Sequence, residues 1–316
     1  MIKNSYAGNL GNYLFQYFAA RLLAEEHGLE FEMEPIEGFP RTKDKVSGLR
    51  FSKLKTFPDE MMSYALISEA VGIAKSEEKG VALNHFYGYN YRDYYENNLD
   101  KACEWFQLDK SIKTTHDIGV KDLLISVRNG DFITKRVNLP FEYYKSILES
   151  NLIDYDNLYI VSDDFNDPFM ENFAPYNPIY IDEHYLCQFK TALNFKYVIG
   201  SHSTFCWFHI LLNQNLTKCF FPVITSTHSS AWSERMIYKN NFDLRIDKPY
   251  MEYVYNVPRQ LVRDQVVFDE GDWFGDEKDY RNSFLREKHF RDKTDEILDY
   301  HKESKYRFMK FKKAEK

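Results

Sequence analysis

The segment Ser126-Val127-Arg128-Asn129-Gly130-Asp131-Phe132 delivers a guanidinium, a turn glycine and a carboxylate at the end of an apolar run. An arginine so placed can grip a phosphate through two parallel hydrogen bonds and neutralise charge as a diphosphate departs. The same residues also permit a plain strand-end salt bridge between Arg128 and Asp131. A second segment, Ser201-His202-Ser203-Thr204-Phe205, sets hydroxyls and free backbone N–H groups ahead of an apolar helix containing Trp207 and Leu211. Hydrogen bonding and the helix dipole together favour an anion there, and a simple N-cap is the other reading. The third, Gly8-Asn9-Leu10-Gly11-Asn12, is a glycine-bearing loop that lets backbone approach a bound anion closely.

Other chemistries fit the sequence poorly. The Gly8 loop lacks G-x-G-x-x-G and the Walker lysine, and no convincing strand precedes it, which argues against a dinucleotide fingerprint. Asp154-Tyr155-Asp156 has the spacing of a metal-held diphosphate site but precedes its strand, so it reads as a turn. His202 and His209 do not have the i, i+4 spacing of helical zinc ligands, and there is no Gly-x-Ser-x-Gly elbow. Cys103, Cys187, Cys206 and Cys219 lack Cys-x-x-Cys spacing and read as reduced thiols, with no disulfide framework and no zinc site.

These segments need elements to hold them. Leu14, Phe15, Phe18, Ala19, Leu22 and Leu23 fall at helical spacing between Gly11 and His27, with Gly28 as the stop, and a strand Leu29 to Met33 follows. Residues 35–60 read as an irregular excursion. From residue 121 short apolar runs (Leu123 to Val127, Leu158 to Val161, Ile179 to Ile181, Tyr197 to Ile199) alternate with helical stretches at Phe141 to Asn151, Leu186 to Asn194 and Ser203 to Asn213. That alternation predicts a doubly wound parallel sheet, with ligands beyond the carboxyl ends of its strands. Residues 226–280 mix polar and aromatic side chains, and residues 281–316 form a highly charged helical stretch.

Composition narrows the field further. Hydrophobic residues make up 44% and charged residues 28% of the 316, a globular balance with length for about two domains. A net charge of −7 gives no general attraction for nucleic acid or anionic lipid, so any anion must be held locally. No run approaches a membrane span, and the polar start lacks the apolar core of a signal peptide, which predicts a cytoplasmic protein. The last 16 residues hold seven Lys or Arg against two Glu, read as a solvated helix end with a peripheral membrane contact as the alternative. The aromatic content of 17% fits a heavily aromatic core better than a carbohydrate-facing cleft.

Taken in order, the segments resemble the bacterial and animal α-1,2-fucosyltransferases. Gly8-Asn9-Leu10-Gly11-Asn12-Tyr13-Leu14-Phe15-Gln16-Tyr17 stands in place of the family's G-G-L-G-N-Q-M-F-Q-Y. Gly88-Tyr89-Asn90-Tyr91-Arg92-Asp93-Tyr94-Tyr95 is similar to G-Y-F-Q-S-x-x-Y-F, and Leu139-Pro140-Phe141-Glu142-Tyr143-Tyr144 to the stretch before the next helix. Ser162-Asp163-Asp164 sits where F-S-D-D would be, and Ser203-Thr204-Phe205-Cys206-Trp207 is close to S-T-F-S-W. Coverage runs over roughly residues 1–225.

The resemblance implies an α/β, GT-B-like fold of two Rossmann-like lobes with a cleft between them. Residues 1–115 would form the acceptor-side lobe, 116–225 the nucleotide-sugar lobe and 226–316 a partly helical C-terminal extension. It implies an inverting glycosyltransferase that moves fucose from GDP-fucose to an oligosaccharide or glycolipid acceptor, with no metal required. Arg128 matches the first arginine of H-x-R-R-x-D and would stabilise the β-phosphate, with Asp131 as the motif's carboxylate. Gly8, Gly11 and Asn12 would face the diphosphate and sugar, Ser203, Thr204 and Phe205 would close the phosphate pocket, and Asp163 would join the donor site. The acceptor's general base stays open among Asp131, Asp163, Asp164 and Glu183. Departures also matter: Ser126 replaces the motif's histidine, Asn129 its second arginine, and Asn9 the second loop glycine. Gln188 stands near the place of a base-reading carboxylate. A different donor, for example a UDP-sugar such as UDP-xylose, is therefore the main alternative, and a non-catalytic sugar-binding homologue is the third.

Overall fold

A two-residue strand, β1 (Ile2–Lys3), opens the chain and lies at the centre of the first sheet. The computed structural model describes residues 1–57, 64–84, 86, 95, 97–134, 138–225 and 248–258. Within these, β1 pairs in parallel with β2 (Phe31–Glu32) on one side and β5 (Gly80–Leu83) on the other. β4 (Leu54–Phe57) adds a parallel strand outside β5, and β3 (Lys45–Val46) an antiparallel one outside β2. A strand therefore does precede the Gly8 loop, contrary to the sequence reading, because two residues are too short to carry a periodicity. The excursion over residues 35–60 likewise contains β3 and β4.

Between β1 and β2 runs α1 (Leu10–His27), closed by Gly28 at φ 61°, whose N–H reaches the Ala24 and Glu25 carbonyls. Left-handed backbone of this kind suits glycine. From Leu10 to Ala24 the helix is buried almost all round, so it is a core helix with neighbours on more than one side. α2 (Tyr64–Ser76) and α3 (Leu99–Trp105) complete this lobe.

The second sheet is parallel throughout its pairings and runs β11-β10-β9-β6-β7-β8. Its strands are β6 (Leu123–Val127), β7 (Leu158–Ser162), β8 (Ile179–Tyr180), β9 (Tyr197–Ile199), β10 (Lys218–Thr225) and β11 (Met251–Pro258). Every residue of β6 and β7 is buried, as expected for strands covered on both faces. Renumbered from β6, the order is the 3-2-1-4-5-6 of a Rossmann sheet, with its switch point between β6 and β9. The crossovers carry α4 (Gly130–Thr134), α5 (Phe141–Leu148), a 3₁₀ helix (Pro168–Tyr176), α6 (Tyr185–Ala192) and α7 (Thr204–Leu212). The sixth strand, β11, falls inside the region 226–316 that the sequence reading set apart as an extension. Its alternating Met251-Glu252-Tyr253-Val254 pattern is that of an edge strand, weaker than the continuous apolar runs of β6 and β7. The rest of that region, including the basic C-terminus, lies outside the described residues, as do residues 88–94 of the tyrosine-rich match.

So the chain forms two Rossmann-like α/β lobes. They share aromatic packing: the Phe15 ring lies 4.8 Å from Trp207 and 4.7 Å from Phe208, Phe106 lies 5.5 Å from Phe208, and Phe39 lies 5.8 Å from Phe189. Phe15, Tyr17, Phe18, Tyr143 and Tyr144 are fully buried, so a large part of the aromatic content is core. All four cysteines are free thiols. Among the described residues no helix is long and apolar enough to cross a membrane.

One buried group ties this core to pH. His209 on α7 is 0% exposed, sits between the Phe189 and Phe205 rings, and has no hydrogen-bond partner among the described residues. Burial pushes its pKa down from 6.5 to about 3. Because the folded pKa lies below the unfolded one, the unfolded chain takes the proton first, and stability falls as pH drops from 6.5 toward 3. Each unit of that window is worth up to about 1.4 kcal/mol. In His209→Leu, the stability lost between pH 7 and pH 5 in urea unfolding should shrink by up to about 2 kcal/mol; an unchanged difference means the imidazole does not titrate as described.

Candidate active site

Both sheets end on one cleft of about 860 Å³, a volume suited to a nucleotide-sized ligand. From the first lobe it is lined by the loop after β1 (Tyr6, Gly8, Asn9) and the segment Glu34 to Glu37 after β2. From the second it is lined by the carboxyl ends of β6 and β7, by residues on α6 and by the start of α7. Arg128 and Ser203 follow the two strands that flank the switch point, and both line this space.

Arg128 is anchored on both sides. Its Nη1 donates to Asp163 Oδ2 at 2.5 Å and its Nη2 to Asp131 Oδ1 at 2.7 Å, while the guanidinium carbon lies 4.9 Å from the Phe132 ring centre. The strand-end salt bridge and the cleft position anticipated from sequence are thus one arrangement. Asp163 is held firmly: its Oδ1 accepts from the Asn129 N–H at 2.8 Å, and its side chain is 25% exposed against 43% for Asp131. Burial raises the Asp163 carboxyl above the usual carboxylate range, against the downward pull of Arg128 and the Asn129 N–H. Gly130 explains the tight fit, since a Cβ there would stand 2.2 Å from Asp163 Oδ2. Asn129 cannot replace a second arginine, because its side chain is buried and its Nδ2 faces Met170 Sδ at 3.3 Å.

The other sequence candidates divide into two groups. Gly8, Ser126, Asp163, Gln188, Ser203 and Phe205 line the cleft with Arg128. Gly11, Asn12 and Thr204, expected to face the donor, are not among the lining residues and meet at the junction of the lobes, with the Asn12 side chain lying against the lining Gly8. A Cβ on Gly11 would stand 2.2 Å from the Phe205 nitrogen and 2.6 Å from Thr204 Oγ1, and Thr204 Oγ1 donates to Asn12 Oδ1 at 2.9 Å. These contacts hold α1 against the start of α7. Asp131 is not itself a lining residue and reaches the site through Arg128. Ser203 does cap α7, accepting from the Phe205 N–H at 3.2 Å, as well as bordering the cleft. Gln188 donates from Nε2 to the Glu183 carbonyl at 3.0 Å.

The loop after β1 is fixed from below. Asn4 Oδ1 accepts from the Phe86 N–H at 3.1 Å and its Nδ2 donates to the Phe86 carbonyl at 2.9 Å. The wholly buried Gln16 clasps Ala7 in both directions, at 3.0 and 3.2 Å. Residues that sequence reasoning did not single out also line the space: Tyr6, Tyr13, Glu34, Glu37 and Tyr185. Tyr6 and Tyr13 flank the glycine loop, and a strand assignment at Ile2–Lys3 would have directed attention to them. Among the described residues no group of three or more His, Cys, Asp or Glu side chains is gathered as metal ligands.

No protein-family model and no curated protein matches the chain. Among solved structures it is similar to the fucosyltransferase NodZ from Bradyrhizobium, at 12% identity and a TM-score of 0.46, covering 69% of this chain and 94% of that one. A NodZ alpha-1,6-fucosyltransferase soaked with GDP-fucose is similar at 11% identity and a TM-score of 0.44, over 69% and 93%. At this level the likeness is one of chain path.

The lobe junction yields a direct check. Gly11→Ala should force α1 and α7 apart and cost about 1–3 kcal/mol in chemical denaturation. An unchanged midpoint would mean that the close approach is not a constraint.

Proposed function

We propose that the protein is an inverting glycosyltransferase using a nucleotide-sugar donor, with fucose from GDP-fucose as the leading reading. The observation that carries it is the meeting of Arg128 and Ser203, from the two sides of the Rossmann switch point, on one cleft. Donor diphosphates gather at such a point because backbone N–H groups and the dipole of the following helix favour negative charge. The order of the matched segments along the chain supports the fucosyltransferase assignment.

In this reading the donor competes for Arg128. A diphosphate takes Nη2 by displacing Asp131, the more exposed of its two carboxylates, while Asp163 keeps Nη1 and the orientation of the fork. As the bond from the anomeric carbon to the phosphate oxygen breaks, the leaving charge falls on Arg128 and the start of α7. The acceptor oxygen forms its bond on the opposite face and gives its proton to a base on that side. Asp131 sits on the phosphate side, where it occupies Arg128 until the donor takes its place, and no metal is needed for the charge.

A second reading changes the base. Ser126 is buried and hydrogen-bonds toward Cys206, a poor substitute for a base-reading histidine. Gln188, with its Nε2 committed to Glu183, has a carbonyl acceptor to offer, which suits guanine N1–H and uracil N3–H equally. A UDP-sugar donor is therefore the alternative, and calorimetry with GDP and UDP discriminates: tighter UDP binding sinks the fucose assignment.

Arg128→Ala should lower transfer, or hydrolysis of the donor, on the order of a hundredfold or more. Wild-type turnover that survives this change removes the arginine from the chemistry; no turnover in the wild type favours a sugar-binding protein. Asp131→Asn should tighten nucleoside-diphosphate binding by up to about fivefold, since it removes a competing surface ion pair worth ~1 kcal/mol. Weaker binding in that variant would contradict the displacement.

A further inference from the structure

The first-lobe wall of the cleft has a chemistry of its own. The Tyr6 and Tyr13 rings lie 4.7 Å apart at 38°, and both line the cleft. Tyr6 is fixed by its hydroxyl, which donates to the Glu34 carbonyl at 2.6 Å. Across from them Tyr185, on α6 of the other lobe, donates to Glu37 Oε2 at 3.1 Å. Burial, then the Glu37 carboxylate, raises the Tyr185 phenol above its ordinary range, so it stays a neutral donor. Tyrosine rings present an apolar, electron-rich face beside a polar tip, which suits the C–H face and hydroxyl edge of a sugar ring.

Charge around the cleft runs mostly one way, with Glu34 and Glu37 on this wall and the other carboxylates on the second lobe. Glu34, Glu37, Asp164, Asp182 and Glu183 line the cleft, whereas Arg128 is the one basic lining residue described, and its fork is already engaged by Asp131 and Asp163. Carboxylates accept strongly from sugar hydroxyls and pair with ammonium groups, and an ammonium also gains from the tyrosine faces. Among the described lining residues an acidic ligand meets like charge, with only the already paired Arg128 to answer it.

We propose that the Tyr6–Tyr13 wall, with Glu34, Glu37 and Tyr185, is the acceptor subsite, and that it takes neutral or amine-bearing glycans and rejects uronate-bearing or sulfated ones. This rests on the transferase reading, since an acceptor subsite presupposes a donor, but it adds the acceptor's chemical class.

The test presents the full chain, with saturating GDP or UDP, to an array of neutral, amino, uronate-bearing and sulfated oligosaccharides. Nucleotide binding is measured by calorimetry on the same preparation. Neutral or amino glycans should be bound, with acidic ones at least about tenfold weaker. Tyr13→Ala should lose about tenfold or more of that binding and Tyr13→Phe, which keeps the ring, should retain it. Combined Glu34→Gln and Glu37→Gln should admit acidic glycans. Acidic glycans bound as well as neutral ones, no glycan bound at all, or full binding by a folded Tyr13→Ala would each overturn the subsite. Nucleotide binding without glycan selection defeats this inference alone, whereas glycan selection without nucleotide binding defeats the transferase reading and with it the acceptor role, leaving a sugar-binding wall.

Discussion

The close approach of α1 to the start of α7 is the contact on which the cleft depends. Gly11 leaves no room for a side chain against the backbone of Thr204 and Phe205, and Asn12 accepts from the Thr204 hydroxyl beside it. Phe15, one turn further along, seals the junction against Trp207 and Phe208. Because α1 follows β1 and α7 follows β9, pinning their first turns together brings the carboxyl ends of two separate sheets onto one space. The burial of α1 on nearly every side follows from serving both lobes.

Within that space the charge around Arg128 is balanced asymmetrically. Asp163 is held by a backbone N–H and by the absence of a side chain at Gly130, whereas Asp131 is more open to water and has the arginine as its ion-pair partner. The inner carboxylate therefore orients the guanidinium and the outer one can yield to a ligand. A pair half open to solvent is weak enough to exchange, while a partly buried one resists it. The tyrosine and glutamate wall of the first lobe carries negative charge and, among the described residues, no basic side chain, whereas the second lobe sets Arg128 among its carboxylates, so the two sides of the cleft differ in the ligands they favour.

Much of the second lobe was legible along the chain. β6, β7 and β9 are apolar runs buried on both faces, and such runs stand out against turn residues wherever a parallel sheet is covered by helices. Ser203 was readable as a helix start by the same local logic, since an N-cap is made by a side chain and the N–H two residues on. β1 and β11 were not readable: β1 has two residues with no apolar run around them and β11 alternates, and both owe their conformation to the neighbours they pair with, whereas the equally short β2 and β8 lie in the predicted strands Leu29 to Met33 and Ile179 to Ile181.

The sequence by itself determined which groups lie at strand ends and helix starts, and therefore that Arg128 and Ser203 stand beyond the carboxyl ends of strands; that those strands flank the switch point came from the strand order. Tertiary structure alone decided what each group touches. It turned Asn12 and Thr204 toward one another, buried Asn129 against Met170, gave Arg128 a second carboxylate from 35 residues away, and set Tyr6 and Tyr13 on the same wall as Glu34. The physical reason is that strand and helix periodicity are local properties, whereas side-chain partners depend on how elements distant in the chain are packed, and no local pattern encodes that distance.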